Sequence, residues 1–190
     1  MHYIKITALI LACVMFFACS HYKPFQLKPG QDNSGLKILE FRHIAQKQRY
    51  DCGPGALAIV LNYWGIRRGP ERILAEIFQG RPPEQGTKAQ DLVDYAEAQG
   101  LRAFLVQFDL EQIQQQIGRG RPLIICRPIF GRINHYEVVV GYDSLHQRVI
   151  IANPADGVVS CSEAWFRKIH QKSDRFVLLV VPEAQTVTNE

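Results

Sequence analysis

Residues 46–64 read QKQRYDCGPGALAIVLNYW. From Pro54 onward the apolar residues Leu57, Val60, Leu61 and Trp64 fall at i, i+3, i+4 and i+7, which lines one face of a helix that Gly65 ends. Pro54 suits a first helical turn, where its missing N–H costs no hydrogen bond. Cys52 therefore stands at a helix N-terminus. The unpaired amides and the macrodipole there favour negative charge, which lowers a thiol's pKa and enlarges the nucleophilic thiolate fraction. Gly53 keeps the approach to the sulfur open.

Outward from this helix, PERILAEIF predicts a second one starting at Pro70 and ending near Gly80. Thr87 is placed to cap a third, running to about Gln99 and closed by Gly100; Asp109 is placed to cap a fourth, through Ile117 to Gly118. Beyond Gly100 come short apolar runs separated by turn residues: LRAFLVQF, RPLIICRPI, HYEVVVGYD, RVIIANP and RFVLLVVP. These predict strands, with a hairpin across Tyr142–Arg148 and one more helix from Ser162 to about Ile169. Leading helices packed on a mainly antiparallel sheet make an α+β domain.

The chain has 190 residues, 47% of them hydrophobic and 21% charged, with a net charge of +4. That describes one ordinary globular domain and gives no footprint for nucleic acid. The first eighteen residues differ. Lys5 precedes the apolar run ITALILACVMFFA, too short for a comfortable bilayer span. It ends in Ala18-Cys19-Ser20, similar to a bacterial lipoprotein signal in which the cysteine is acylated. Cys19 is the expected lipidation site and Cys13 its competitor. The resulting expectation is a signal peptide over 1–18, a flexible Pro- and Gly-containing tether over 19–35, a domain over 36–183 and a C-terminal tail over 184–190. The location expected is the cell envelope, lipid-anchored to a bacterial membrane (the outer one, facing the periplasm). Of the other cysteines, Cys126 and Cys161 could pair or stay as buried thiols. No Cys/His spacing suits a structural metal, so no metal or other cofactor is expected.

A thiolate needs a base, and His135, opening HYEVVVGYD, is the best placed histidine; His43, His146 and His170 have weaker contexts. His135, Glu137 and Val139 share one strand face. If this strand and RVIIANP form a hairpin, Asn153 comes beside His135 and its amide oxygen can orient the imidazole. Gln46 could donate its side-chain amide, together with the Cys52 N–H, to a developing oxyanion.

These residues form an ordered set of motifs: Q-x-x-x-x-x-C-G-P-x-A-L, then H-Y-x-V-V-x-G-Y, then N-P. Over residues 40–182 the chain resembles the bacteriocin-processing peptidases, papain-like cysteine peptidases that remove double-glycine leader peptides. The resemblance implies a papain-like fold, Cys52 as nucleophile, His135 as base and Gln46 as oxyanion donor. It also implies a peptide or protein substrate, cleavage after Gly-Gly, and an exporter as partner. The family usually has Asp-Pro where this chain has Asn153-Pro154. The expected function is a lipid-anchored cysteine peptidase with a Cys-His-Asn site. Asn153 leaves open a non-catalytic peptide-binding lipoprotein, and the same thioester chemistry an amide-forming acyltransferase.

Overall fold

The strand segments LIIC and VVV, residues 123–126 and 138–140, are apolar at successive positions, which fits strands covered on both faces. The computed structural model, which describes residues 21–48, 50–79, 86–129 and 133–183, shows how this is met. Eight strands form one antiparallel sheet: β1 (Lys23–Pro24), β2 (Leu36–Ile38), β3 (Leu101–Gln107), β4 (Leu123–Ile129), β5 (Ile133–Asp143), β6 (Arg148–Asn153), β7 (Gly157–Ser162) and β8 (Phe176–Pro182). Their order is β1-β7-β6-β5-β4-β8-β3, with β2 pairing β5 just beyond the end of β4. Among the described residues five helices flank it: α1 (Cys52–Tyr63), α2 (Pro70–Phe78), α3 (Ala89–Ala98), α4 (Leu110–Gly118) and α5 (Glu163–Gln171). The α+β architecture is the expected one.

The helices divide between the faces. Leu57, Val60 and Leu61 of α1, Ile73 of α2 and Leu92 of α3 pack on Ile124, Val138, Val140, Ile150 and Leu178. On the opposite face Ile113 and Ile117 of α4 and Phe166 of α5 cover Leu123, Ile125, Val139, Ile151 and Val177. Residues Gly53 to Leu61 of α1 are all buried, so this helix is the centre of its layer. Cys126 belongs to the first core and Cys161 to the second, so the sheet separates them, and both are free thiols.

Asp109 caps α4 as expected: its carboxylate accepts from the Gln112 N–H at 2.8 Å while the Gln112 side chain accepts from the Asp109 N–H at 2.9 Å. Thr87 does not cap α3. Asp91 accepts from the Lys88 N–H at 3.1 Å, and Thr87 turns inward over Gly53. Strand β7 was not expected, nor were β1 and β2. Part of the segment expected as a tether is joined to the domain, with Lys23 opposite Ser160 and Pro24 opposite Val159. Cys13 and Cys19 lie outside the described residues, among which no helix is long and apolar enough to cross a membrane.

The β5–β6 hairpin closes through Asp143, whose carboxylate accepts from the His146 N–H at 3.0 Å, and Gln147, at φ 48°. A register shift between Val139 and Gly141 bulges β5 where β2 joins it. A Cβ at Gly141 would lie 2.6 Å from the Lys37 carbonyl oxygen and 3.0 Å from Ile38 Cα. Both are backbone atoms of a paired strand and cannot yield. Gly141→Ala is expected to cost about 1–3 kcal/mol, lowering the urea midpoint at unchanged slope; an unaltered midpoint would contradict this packing.

Candidate active site

Cys52 is the first residue of α1 and half-buried, with the Gly55 N–H closing the first turn onto the Asp51 carbonyl at 2.7 Å. Two glycines bring the helix end against the sheet. A Cβ at Gly53 would stand 3.1 Å from Thr87 Cβ and 3.3 Å from the Tyr136 ring, and one at Gly55 would stand 3.0 Å from Pro154 Cβ. The CGPG string thus seats the thiol between β5 and the β6–β7 turn.

The hairpin register delivers the partners. Val138 pairs Ala152, so Glu137 and Asn153 lie one step further along, with His135 at the rim. His135 donates from Nε2 to Asn153 Oδ1 at 2.9 Å and is hydrogen-bonded to the Cys52 thiol. Asn153 is fully buried and all its capacity is used: Oδ1 also accepts from the Ala155 N–H at 2.8 Å, and Nδ2 donates to Glu137 Oε1 at 3.2 Å and Asp156 Oδ2 at 2.8 Å. Two carboxylates and a backbone N–H fix which way the amide points. That in turn fixes the tautomer, with the proton on Nε2 and Nδ1 left for the thiol.

The electrostatics follow. Burial alone would raise the Cys52 pKa, but the hydrogen bond to His135, the Tyr136 N–H, the charge of His135 and the Gly53 N–H pull it below the usual thiol value. Burial would lower the His135 pKa, yet the hydrogen bond to Cys52, the charge of Glu137 and the hydrogen bond to Asn153 hold it above an ordinary histidine. Cys126 and Cys161 are pushed up to about 12, chiefly by burial. Of these three thiols Cys52 alone is held below the usual thiol pKa, and it faces an imidazole able to take its proton: the geometry of nucleophilic acyl transfer.

Gln46 lies against the same turn, its N–H donating to the Pro154 carbonyl at 2.8 Å. Its amide nitrogen donates to the Gln48 carbonyl at 3.3 Å and its Oε1 is buried without a partner, so serving an oxyanion requires a change of rotamer. His43, set aside in the sequence, donates from Nε2 to the Asn153 carbonyl at 2.9 Å and pins this segment to the hairpin. The sequence also missed Arg127, Tyr22 and Asp156. A Glu amid the valines of β5 was the available signal, since a buried carboxylate needs partners. Among the described residues no group of three or more His, Cys, Asp or Glu is arranged to hold a metal ion.

The model of the Peptidase C39 family matches residues 40–185. The chain belongs to the Peptidase C39 family. Within this family setting it is 31% identical, over 126 residues covering 66% of the chain and 80% of the other, to an uncharacterized protein of Methanothermobacter thermautotrophicus. Its fold is similar to the peptidase domain of Streptococcus ComA, a bi-functional ABC transporter involved in a quorum sensing pathway, at TM-score 0.64, 23% identity, and coverage of 76% of this chain and 100% of that one. It is also similar to a double glycine motif protease from an AMS/PCAT transporter, solved with the leader peptide, at TM-score 0.57, 20% identity, and 77% and 94% coverage.

The two N–H donors of Asn153 point at carboxylates, which an aspartate there could not do. Asn153→Asp is expected to lower stability by about 1–3 kcal/mol at neutral pH, because three carboxylates would converge. The deficit should shrink on acidification as the introduced carboxyl protonates, since a carboxyl whose folded pKa is raised binds its proton more tightly in the native state. Thermal unfolding across pH 4–8 measures it; an equally stable variant at all pH values would contradict the network.

Proposed function

We propose that the protein is a cysteine peptidase of the cell envelope, held to a membrane by lipid on Cys19. The observation that carries the peptidase reading is the Cys52–His135–Asn153 chain of hydrogen bonds at the N-terminus of a buried helix. The Cys52 thiolate attacks a peptide carbonyl, and the Cys52 N–H and the Gln46 amide take the oxyanion. His135 then protonates the leaving amine, and water, deprotonated by the same imidazole, releases the acyl group. Asn153 keeps the ring in the tautomer this cycle needs.

As substrate we propose a peptide cut after Gly-Gly. The likeness to a double glycine motif protease supports this. A separate exporter would present such a peptide. Asn153, the feature that left open a non-catalytic peptide binder, makes here the contacts an imidazole orienter requires.

With a peptide library containing Gly-Gly sites, Cys52→Ala is expected to abolish turnover. Gln46→Ala should lower kcat by about 100-fold or more with little change in KM. Residual cleavage by the purified Cys52→Ala protein would remove the mechanism. For the anchor, Cys19→Ser should move the protein from the membrane to the soluble fraction on cell fractionation; persistent attachment would point to Cys13 or to an uncleaved apolar segment.

A further inference from the structure

We infer that Glu137 is the anionic member of this site, a positioning residue that acts on His135 from behind Asn153 and is itself held by Arg127 and Tyr22. The inference rests on the reading of Cys52 and His135 as nucleophile and base, and adds to it the source of the negative charge that an amide cannot provide.

Glu137 is fully buried in the middle of β5, between Tyr136 and a run of three valines. A carboxylate in such a place is costly unless paired and hydrogen-bonded. Its Oε1 accepts from Arg127 Nε at 3.0 Å, from Arg127 Nη2 at 2.7 Å and from Asn153 Nδ2 at 3.2 Å, and stands 3.7 Å from His135 Nε2. Its Oε2 accepts from the Tyr22 hydroxyl at 2.5 Å. One oxygen therefore faces both the amide that orients the imidazole and the ring nitrogen whose partner that amide is.

Position distinguishes this from an ion pair that serves packing alone. Arg127 is the residue directly across β4–β5 from His135, so the pair is built into the register immediately behind the ring. When Cys52 gives up its proton the ring becomes imidazolium, and Asn153, a neutral amide with every valence engaged, can orient it but not compensate it. The fixed carboxylate at Glu137 does so without reorganising, which is what a preorganised site requires.

The N-terminal segment completes the arrangement. Pairing of β1 with β7 sets Tyr22 between the Trp165 ring, 5.0 Å away edge-on, and the Arg127 guanidinium, 4.8 Å from the Tyr22 ring centre. Burial, then the nearby charge of Glu137, raises the phenol's pKa, so it stays a donor. The ionisable groups that interact with Glu137 are Arg127 and Cys126 from β4, Tyr22 from the N-terminal segment, Cys161 from β7 and His135 on its own strand, with Asp156 sharing the Asn153 amide.

The test uses the full chain and two variants, Glu137→Gln and the doubly neutral Arg127→Met/Glu137→Gln, which keeps no unpaired buried charge. Iodoacetamide alkylation of Cys52, assigned by mass spectrometry, is followed at pH 6, where the imidazolium must sustain the thiolate, and at pH 9.5, where it need not. The ratio of the two rates is expected to fall about tenfold in both variants, the change equivalent to roughly one pKa unit. The double variant should keep a thermal midpoint near that of the parent. A wild-type ratio in the double variant, or in a folded Glu137→Gln, overturns the inference while leaving the peptidase reading in place. Parent protein whose Cys52 reacts no faster than Cys126 or Cys161 at pH 6 overturns both.

Discussion

Holding a thiol and an imidazole from opposite halves of a chain within hydrogen-bonding reach means fixing two bodies, a helix end and a strand rim, to a fraction of an ångström. In this protein the fixing element is the Asn153 side chain. Its four hydrogen bonds reach the imidazole, the backbone of its own turn and two carboxylates, and His43 and Gln46 bind the carbonyls of Asn153 and Pro154. The same turn meets the first turn of α1, where Gly55 leaves room for Pro154. A disturbance at Asn153 therefore reaches the Cys52 thiol, the His135 ring and the segment carrying Gln46 together.

The parts of this design that depend on local chemistry were legible in the sequence. The spacing of Leu57, Val60, Leu61 and Trp64 marked α1, Gly and Pro marked its start, and the turn residues between the apolar runs HYEVVVGYD and RVIIANP marked the hairpin that brings Asn153 to His135. What escaped were features decided across the sheet. Nothing in α4 or α5 tells which face they cover, because an amphipathic helix can dock on either. The β7 run GVVSCS is half polar and short, and β1 and β2 are two and three residues long. Thr87 has the residue type of a cap and the position of a packing partner for Gly53. Tyr22 sits in a stretch whose Pro and Gly content reads as tether, and only the pairing with β7 brings its hydroxyl to Glu137.

An asparagine in this place is consistent with the rest of the site. Family resemblance leads one to expect an aspartate, but here Glu137 and Asp156 already occupy the space facing the amide's N–H groups. In the proposed mechanism orientation and charge are divided between two residues, Asn153 aiming the ring and Glu137 supplying the field, with Arg127 and Tyr22 donating to the carboxylate. Such a division keeps the buried carboxylate fully hydrogen-bonded, and it ties the N-terminal segment to the chemistry.

The most direct measurement is ¹⁵N NMR of the His135 ring in the intact protein and in Cys52→Ala. The ring is expected to carry a proton on Nε2 at every pH and to titrate with a midpoint above the ordinary histidine value of about 6.5 that drops when the thiol is removed. A neutral ring carrying its proton on Nδ1, or a midpoint indifferent to Cys52, would contradict it.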